Sequence, residues 1–256
     1  MGNKMSNAPV FFTLAQVRFN PLLKLNDCIP DIQEKLRVAH FPDFRQENVQ
    51  VIAFQNGGTN TTQQARYVFG DIPGTSNFVL DNNSLTFQTT DYETFVEFSD
   101  RVELGIETLN DSIPNGLDYV SRLGIRYFDA VQPQPGDALS QYVVKEVMGL
   151  SERVKQLTHS FSETVSKSEH GTLITRVIIR DGQLALPAEL HSMAPQLDEK
   201  FLAHKGRHAI VDSDAFNDRR QIFNLSSIMT NLTGLHDDIE SSFKELITNH
   251  ALTVWQ

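Results

Sequence analysis

Apolar and polar positions along the chain fall into two rhythms, a period of two that predicts strands and a period near 3.6 that predicts helices. The segment "PVFFTLAQVRFNPL" is aromatic and β-branched until Asn20-Pro21 stops it, so a strand opens the fold. In "NDCIPDIQEKLRVAHFP", Ile29, Ile32, Leu36 and Ala39 share a helical face, Asp27 is placed to cap and Pro30 sits in the tolerated first turn. The spacing predicts a helix over residues 28–39. The runs "VQVIAFQ", "ARYVFGD" and "NFVLDNNSLTFQTT" predict an antiparallel meander, the last folding on itself at Asp81-Asn82-Asn83. In "TDYETFVEFSDRVELGIETLND" the pattern turns helical through Phe95, Phe98, Val102, Ile106 and Leu109, with Thr90 and Glu93 at capping-box spacing. A strand, "YVSRLGIRYFDAV", follows Pro114 and Gly116.

The two prolines and the glycine of "QPQPGDA" then divide the chain into an N-terminal half, 1–131, and a C-terminal half, 138–256. In the second half, alternation through Leu157, His159, Phe161, Glu163 and Val165 predicts a strand. Another lies in "HGTLITRVIIRDGQLALP", ending in an Asp181-Gly182 hairpin signal, and a third in "RHAIVDSDAF". Leu225, Met229, Leu232, Ile239, Phe243, Leu246 and Ile247 predict a closing helix to about residue 249, continuous or interrupted at Gly234. The expected class is α+β, with antiparallel sheets and helices packed on one face. Two similar-sized halves of this kind are what an ancient duplication would leave, although no sequence repeat marks one.

Composition narrows the function classes. Thirty-two acidic residues against 22 basic ones give a net charge of −10, which disfavours direct nucleic-acid binding. No apolar run approaches the ~20 residues that span a bilayer, so no membrane role is expected. The start, "MGNKMSNAPVFFTLAQVRFN", has no signal-peptide pattern; its Met-Gly opening with Ser6 is a match too short to count as a myristoylation motif. The single Cys28 has no second thiol for a disulfide or zinc cluster, which suits a reducing cytoplasm.

Several pieces resemble one family: "VRFNPL", "IQEKLR" followed by "FPDF", the "TTDYETF" helix start, the "RLGIRYFD" strand, "LPAEL", "DSDAF" and the "LHDDIESSFKELIT" end. Together they are similar to a sporadically distributed bacterial and archaeal family of about 250 residues, over nearly the whole chain. That resemblance implies a soluble protein of the accessory genome and carries no established activity, hence no catalytic residue.

Candidate chemistry centres on the strand "YVSRLGIRYFDAV". Alternation puts Arg122, Gly124, Arg126 and Phe128 on one face and Leu123, Ile125 and Tyr127 on the core face. Two guanidinium groups flanking a glycine could hold a carboxylate or phosphate, with Arg18 or Arg176 assisting from other strands. The competing reading pairs each arginine with acids such as those of "DSDAFND". Asp212 and Asp214 share a strand face with Asp218 nearby; they could hold a divalent metal, but no third ligand can be placed, and no metal is assigned. His204 and His208 in "HKGRH" have the spacing of a helical zinc pair, yet Gly206 and the missing glutamate favour a surface turn. His236 is explained by capping and the helix dipole. No His partner identifies Cys28 as a nucleophile, and "NGGTNTT" lacks a phosphate-loop lysine and reads as a turn. No cofactor is expected. The sequence therefore favours a non-catalytic cytoplasmic binding protein, antitoxin-like or a phage-defence accessory, that engages a protein partner through an acidic surface including Asp212, Asp214, Asp237 and Asp238. The alternative is a sensor or enzyme for a small anionic ligand, a nucleotide or phosphate, around Arg122 and Arg126.

Overall fold

The computed structural model describes residues 7–55, 58–187, 190 and 194–256. The Met-Gly start, Asn56-Gly57 of "NGGTNTT", where a turn is expected, and Ala188-Glu189 of "LPAEL" lie outside them. The class is α+β. Ten strands form one antiparallel sheet: β1 (Val10–Phe19), β2 (Asp43–Gln55), β3 (Gly58–Gly70), β4 (Ser76–Asp81), β5 (Ser84–Thr89), β6 (Tyr119–Val131), β7 (His159–Lys167), β8 (Thr172–Arg180), β9 (His208–Asn217) and the short β10 (Gln221–Ile222). The spatial order is β2-β3-β4-β5-β1-β6-β9-β8-β7, with β10 added to β6. Strands from residues 1–131 and from 138–256 thus belong to one sheet, joined where β6 pairs with β9.

Three helices cover one face: α1 (Leu25–Val38), α2 (Phe95–Ser112) and α5 (Leu225–Leu246). Short pieces α3 (Lys145–Met148), α4 (Glu199–Leu202) and α6 (Asn249–Trp255) complete the chain. The main core joins Ile29, Ile32 and Leu36 of α1, Phe98, Val102, Ile106 and Leu109 of α2, and Ile228, Leu232, Leu235 and Ile239 of α5 to the sheet residues Ala15, Val17, Leu123, Ile125 and Tyr127. Helical and two-residue periods meet here, because each buries its apolar half against the other.

Three helix ends differ from the sequence reading. Helix α1 starts at Leu25 with Lys24 at the cap position and no side-chain cap, so Asp27 lies inside the first turn instead of capping it. The α2 cap is Thr94, whose side chain accepts from the Glu97 amide, four residues beyond the expected Thr90. Thr90 is engaged elsewhere, donating to the Gln196 carbonyl at 2.6 Å. At the other end, α5 runs unbroken through Gly234 and stops at Leu246, with Thr248 capping α6. Gly234 is a place of close approach rather than a break, since a Cβ there would lie 2.3 Å from His170 Nδ1.

The opposite face of the sheet is partly covered. After β8 the chain turns at Gly182 (φ 108°) but makes no hairpin. It crosses the arginine-bearing face, packing Leu184, Leu186, Leu190 and Phe201 on Phe11, Phe12, Phe128 and Ile210. The Gln196 amide ties this strap to the Gly74 carbonyl at 3.0 Å. A bulge between Val10 and Phe12 turns both Phe11 and Phe12 toward that cluster.

Candidate functional site

The strap leaves one row of charged side chains running across β6, β9, β8 and β7. Register sets Arg126 opposite Asp214, Phe128 opposite Asp212, Arg176 opposite Asp212 and Glu163 opposite Arg176. Asp212 is 2% exposed and accepts a two-pronged interaction from Arg126, Nε to Oδ1 at 2.6 Å and Nη2 to Oδ2 at 2.7 Å. Arg176 adds Nη1 to the same Oδ2 at 3.3 Å and gives its Nε to Glu163 at 2.8 Å. Planar guanidinium groups fit carboxylates in this way, and the short distances are those of charge-assisted bonds. Asp214 lies in the same row. Its burial pushes the carboxyl pKa up, against the pull of Arg126, Arg122 and Arg176.

Arg122 takes a different course. Its Nη1 meets Asp218 at 3.0 Å, and its guanidinium lies over the Phe216 ring at 3.9 Å. Phe216 sits directly opposite Gly124, where a Cβ would come within 3.3 Å of the Phe216 Cβ. The space beside Gly124 is therefore taken by the chain's own aromatic ring. Arg18, opposite Arg122, turns to Gln16 Oε1 at 2.9 Å. The candidate anion residues do share one face, as alternation requires, and Arg122, Arg126 and Arg176 each hold a carboxylate of the protein itself.

The four candidate partner-binding aspartates do not form one surface. Asp212 is buried under Arg126 on the strap side, with Asp214 beside it, whereas Asp237 and Asp238 stand on α5 across the sheet, where Asp238 holds the Ser168 hydroxyl. The physical reason is that "DSDAF" is a central strand here, flanked by β6 and β8. The solvated edge that would leave its acids free is β7.

A second group of titratable residues was not singled out by the sequence pattern. Tyr92 Oη lies 3.2 Å from Tyr127 Oη, which lies 3.0 Å from His236 Nδ1, and Phe95 stacks on the imidazole at 3.9 Å. His236 is thus an internal residue of α5 rather than a helix-start residue. Burial lowers its pKa, with Glu240 and Asp237 opposing, and burial raises both phenols, Tyr92 to about 12 and Tyr127 well above 10. At neutral pH the trio is an uncharged relay that fixes the ring's orientation. Ligand atoms of His236, Asp237 and Glu240 lie within 4.8 Å of one another, a spacing that could hold a cation, although Glu240 already meets Lys244 at 2.7 Å. Nearby on β6, Asp129 forms no hydrogen bond or ion pair among the described residues, and desolvation alone raises its pKa from 3.8 to about 7. Alternation from Ile125 and Tyr127 does carry that signal, since it puts residue 129 on the core face.

The exposed side of α2 has the opposite character. Glu97, Asp100, Glu103, Glu107 and Asp111 follow one another at three- and four-residue spacing, and none forms an ion pair among the described residues. On neighbouring α1, by contrast, Asp31 is held by Lys35 and Glu34 by Arg37. Several hollows flank α2. One, of about 570 Å³, is lined by Asp71, Ile72, Asp91, Glu97, Asp100 and Arg101 among others; another, of about 390 Å³, includes Val38, Leu104, Glu107 and Asp111. Among the described residues no helix is long and apolar enough to cross a membrane. No family model matches the chain, and no curated protein matches it.

Proposed function

We propose that the protein is a non-catalytic binding protein that engages a basic protein partner through an acidic surface, and that this surface is the outer side of α2 rather than the aspartates of β9. The observation that carries the reading is the run of five carboxylates on α2 that form no ion pair among the described residues. Like charges three and four residues apart disfavour a helix by about 0.2–0.5 kcal/mol per pair, so an arrangement with four such neighbours costs the free protein about 1–2 kcal/mol. A partner's lysines and arginines would offset that cost and be steered to it. Apolar side chains stand among the charges, Ile72 at 83% and Val96 at 65% exposure, and give such a partner something to bury. The accessory-genome distribution implied by the family resemblance fits an antitoxin-like or defence-accessory role in the cytoplasm. The rival anion pocket has less support, because Asp212 takes the donors of Arg126 and Arg176 that a ligand would need.

The test compares the wild-type chain with a Glu97→Lys, Asp100→Lys, Glu107→Lys variant, each purified gently from the native host and weighed by native mass spectrometry. A stoichiometric basic protein on the wild type, reduced at least tenfold on a variant of unchanged or higher melting temperature, is expected. Equal recovery on both, or a bound small anion without any protein partner, would overturn the reading.

A further inference from the structure

Five buried side-chain atoms lack a hydrogen-bond partner among the described residues: Thr13 Oγ1, Ser151 Oγ, His204 Nε2, His208 Nε2 and Ser213 Oγ. Unmatched buried polar atoms are uncommon enough that each requires an explanation. Two of these belong to neighbouring imidazoles.

His208 opens β9 and is 0% exposed. Its Nδ1 lies 3.0 Å from the Gly206 carbonyl oxygen. A carbonyl can only accept, so Nδ1 carries the hydrogen and Nε2 presents a bare lone pair to the interior. A backbone carbonyl holding the far nitrogen is the arrangement that orients histidines as metal ligands. The His204 ring stands edge-on to it, with centroids 5.9 Å apart and planes at 86°. Two imidazoles that ligate one zinc at about 2.0–2.1 Å place their ring centroids about 5–6 Å apart. Gly206 makes the approach feasible: a Cβ there would sit 3.1 Å from His204 Nε2. The four-residue spacing of "HKGRH" therefore brings the rings together without a helix, because the chain folds back at Gly206 before entering β9.

His204 also lines a cavity of about 490 Å³ whose wall includes Asp137, Glu152, Asp181 and Arg207. Asp181 meets Arg207 and Asp137 meets Tyr142 and His250, so the wall still carries more carboxylate than guanidinium charge, and the volume accommodates water. Arg207 joins the same region to Ser151, donating to its carbonyl at 3.2 Å. Ser151 Oγ is another of the unmatched atoms.

We propose that His204 and His208 bind a transition-metal ion of the zinc class through their Nε2 atoms, with water from the adjoining cavity completing its coordination. The site lies at the start of β9, four residues before Asp212, and uses neither the Arg126–Asp212 row nor the acidic surface of α2.

The experiment uses the untagged full chain, stripped with a chelator, and titrates it calorimetrically with zinc chloride at pH 7.5. One equivalent should bind and raise the melting temperature. His204→Gln should weaken binding at least 100-fold while leaving the melting temperature of the metal-free protein unchanged, since His204 is only half buried. Gly206→Ala keeps both ligands but crowds Nε2, and should weaken binding about tenfold. His236→Gln should have no effect, which separates this site from the one on α5. Absence of zinc binding, binding that survives His204→Gln, or binding abolished by His236→Gln would each overturn the assignment.

Discussion

Asp129 offers the sharpest test of how charge is arranged inside this fold. Its carboxyl lies on the helix-covered side of β6, paired in register with Val10 and Val211, and makes no hydrogen bond or ion pair among the described residues. Desolvation raises its pKa from 3.8 to about 7. The folded state therefore binds a proton that the unfolded chain releases near pH 4, and folding stability must fall as pH rises between these two values. The contribution is fully present below about pH 3.8 and is lost as pH passes through about 7. At 1.36 kcal/mol for each pH unit, ionising Asp129 costs the fold about 4 kcal/mol. Carboxylates whose pKa is lowered, such as Asp137 and Glu240, push stability the other way at acid pH, so the wild-type profile alone is ambiguous. The difference from Asp129→Asn isolates the term, because the amide is nearly isosteric and does not titrate. Urea unfolding of both proteins from pH 4 to pH 8 should show the variant gaining on the wild type by several kcal/mol, most steeply midway between the two pKa values and levelling off above about 7. Parallel curves would refute the reasoning.

Two further predictions concern the arginine-bearing face and the loop beside it. Arg126→Met should cost about 3 kcal/mol, because it removes the two short contacts to the buried Asp212 and leaves that carboxylate only the longer one from Arg176, whereas Arg122→Met should cost about 1 kcal/mol or less, since Asp218 is largely exposed. Guanidinium denaturation of the two variants measures that contrast, and equal losses would contradict the assigned pairing. Gly171→Ala should lower stability by about 1–3 kcal/mol, because its Cβ would meet the Phe216 carbonyl oxygen at 2.2 Å and that backbone belongs to β9. A thermal scan matching the wild type would show that the β7–β8 turn yields more easily than its packing suggests.

How much could be read beforehand depended on whether the determinants were local. Helix α2 was legible because Phe98, Val102, Ile106 and Leu109 repeat on one face. Its cap was misplaced because Thr90 and Thr94 each precede a glutamate by three residues, and only tertiary contacts decide that Thr90 bonds to Gln196, 106 residues away. The shared face of Arg122, Gly124 and Arg126 followed from strand alternation. That β6 lies between β1 and β9, so that Asp212 rather than a ligand fills the guanidinium fork, is a long-range pairing that no local pattern encodes. His236 was misread for the same reason. Its acidic neighbours suggest a helix start, while the Tyr127 hydroxyl that orients it comes from 109 residues earlier. The strap was hidden by Asp181-Gly182, which does turn the chain but leads it over the sheet instead of into a partner strand.

The two faces of the sheet explain why the excess negative charge should act at α2. On the strap side, guanidinium groups and carboxylates are matched one against another; in the interior, Tyr92, Tyr127 and His236 are uncharged at neutral pH. Neither set of groups presents a run of like charges to a partner. The carboxylates of α2 do, and they stand on a helix anchored by four buried side chains, so their spacing is set before any encounter and little conformational entropy is lost on binding. Such a surface divides the work of recognition. On the proposed reading, charge would set the association rate, which would fall as salt screens it over about 8–10 Å, while the burial of Val96 and Ile72 would set how long the complex lasts. Salt and charge reversal should therefore slow association, and Val96→Ser or Ile72→Ser should instead speed dissociation.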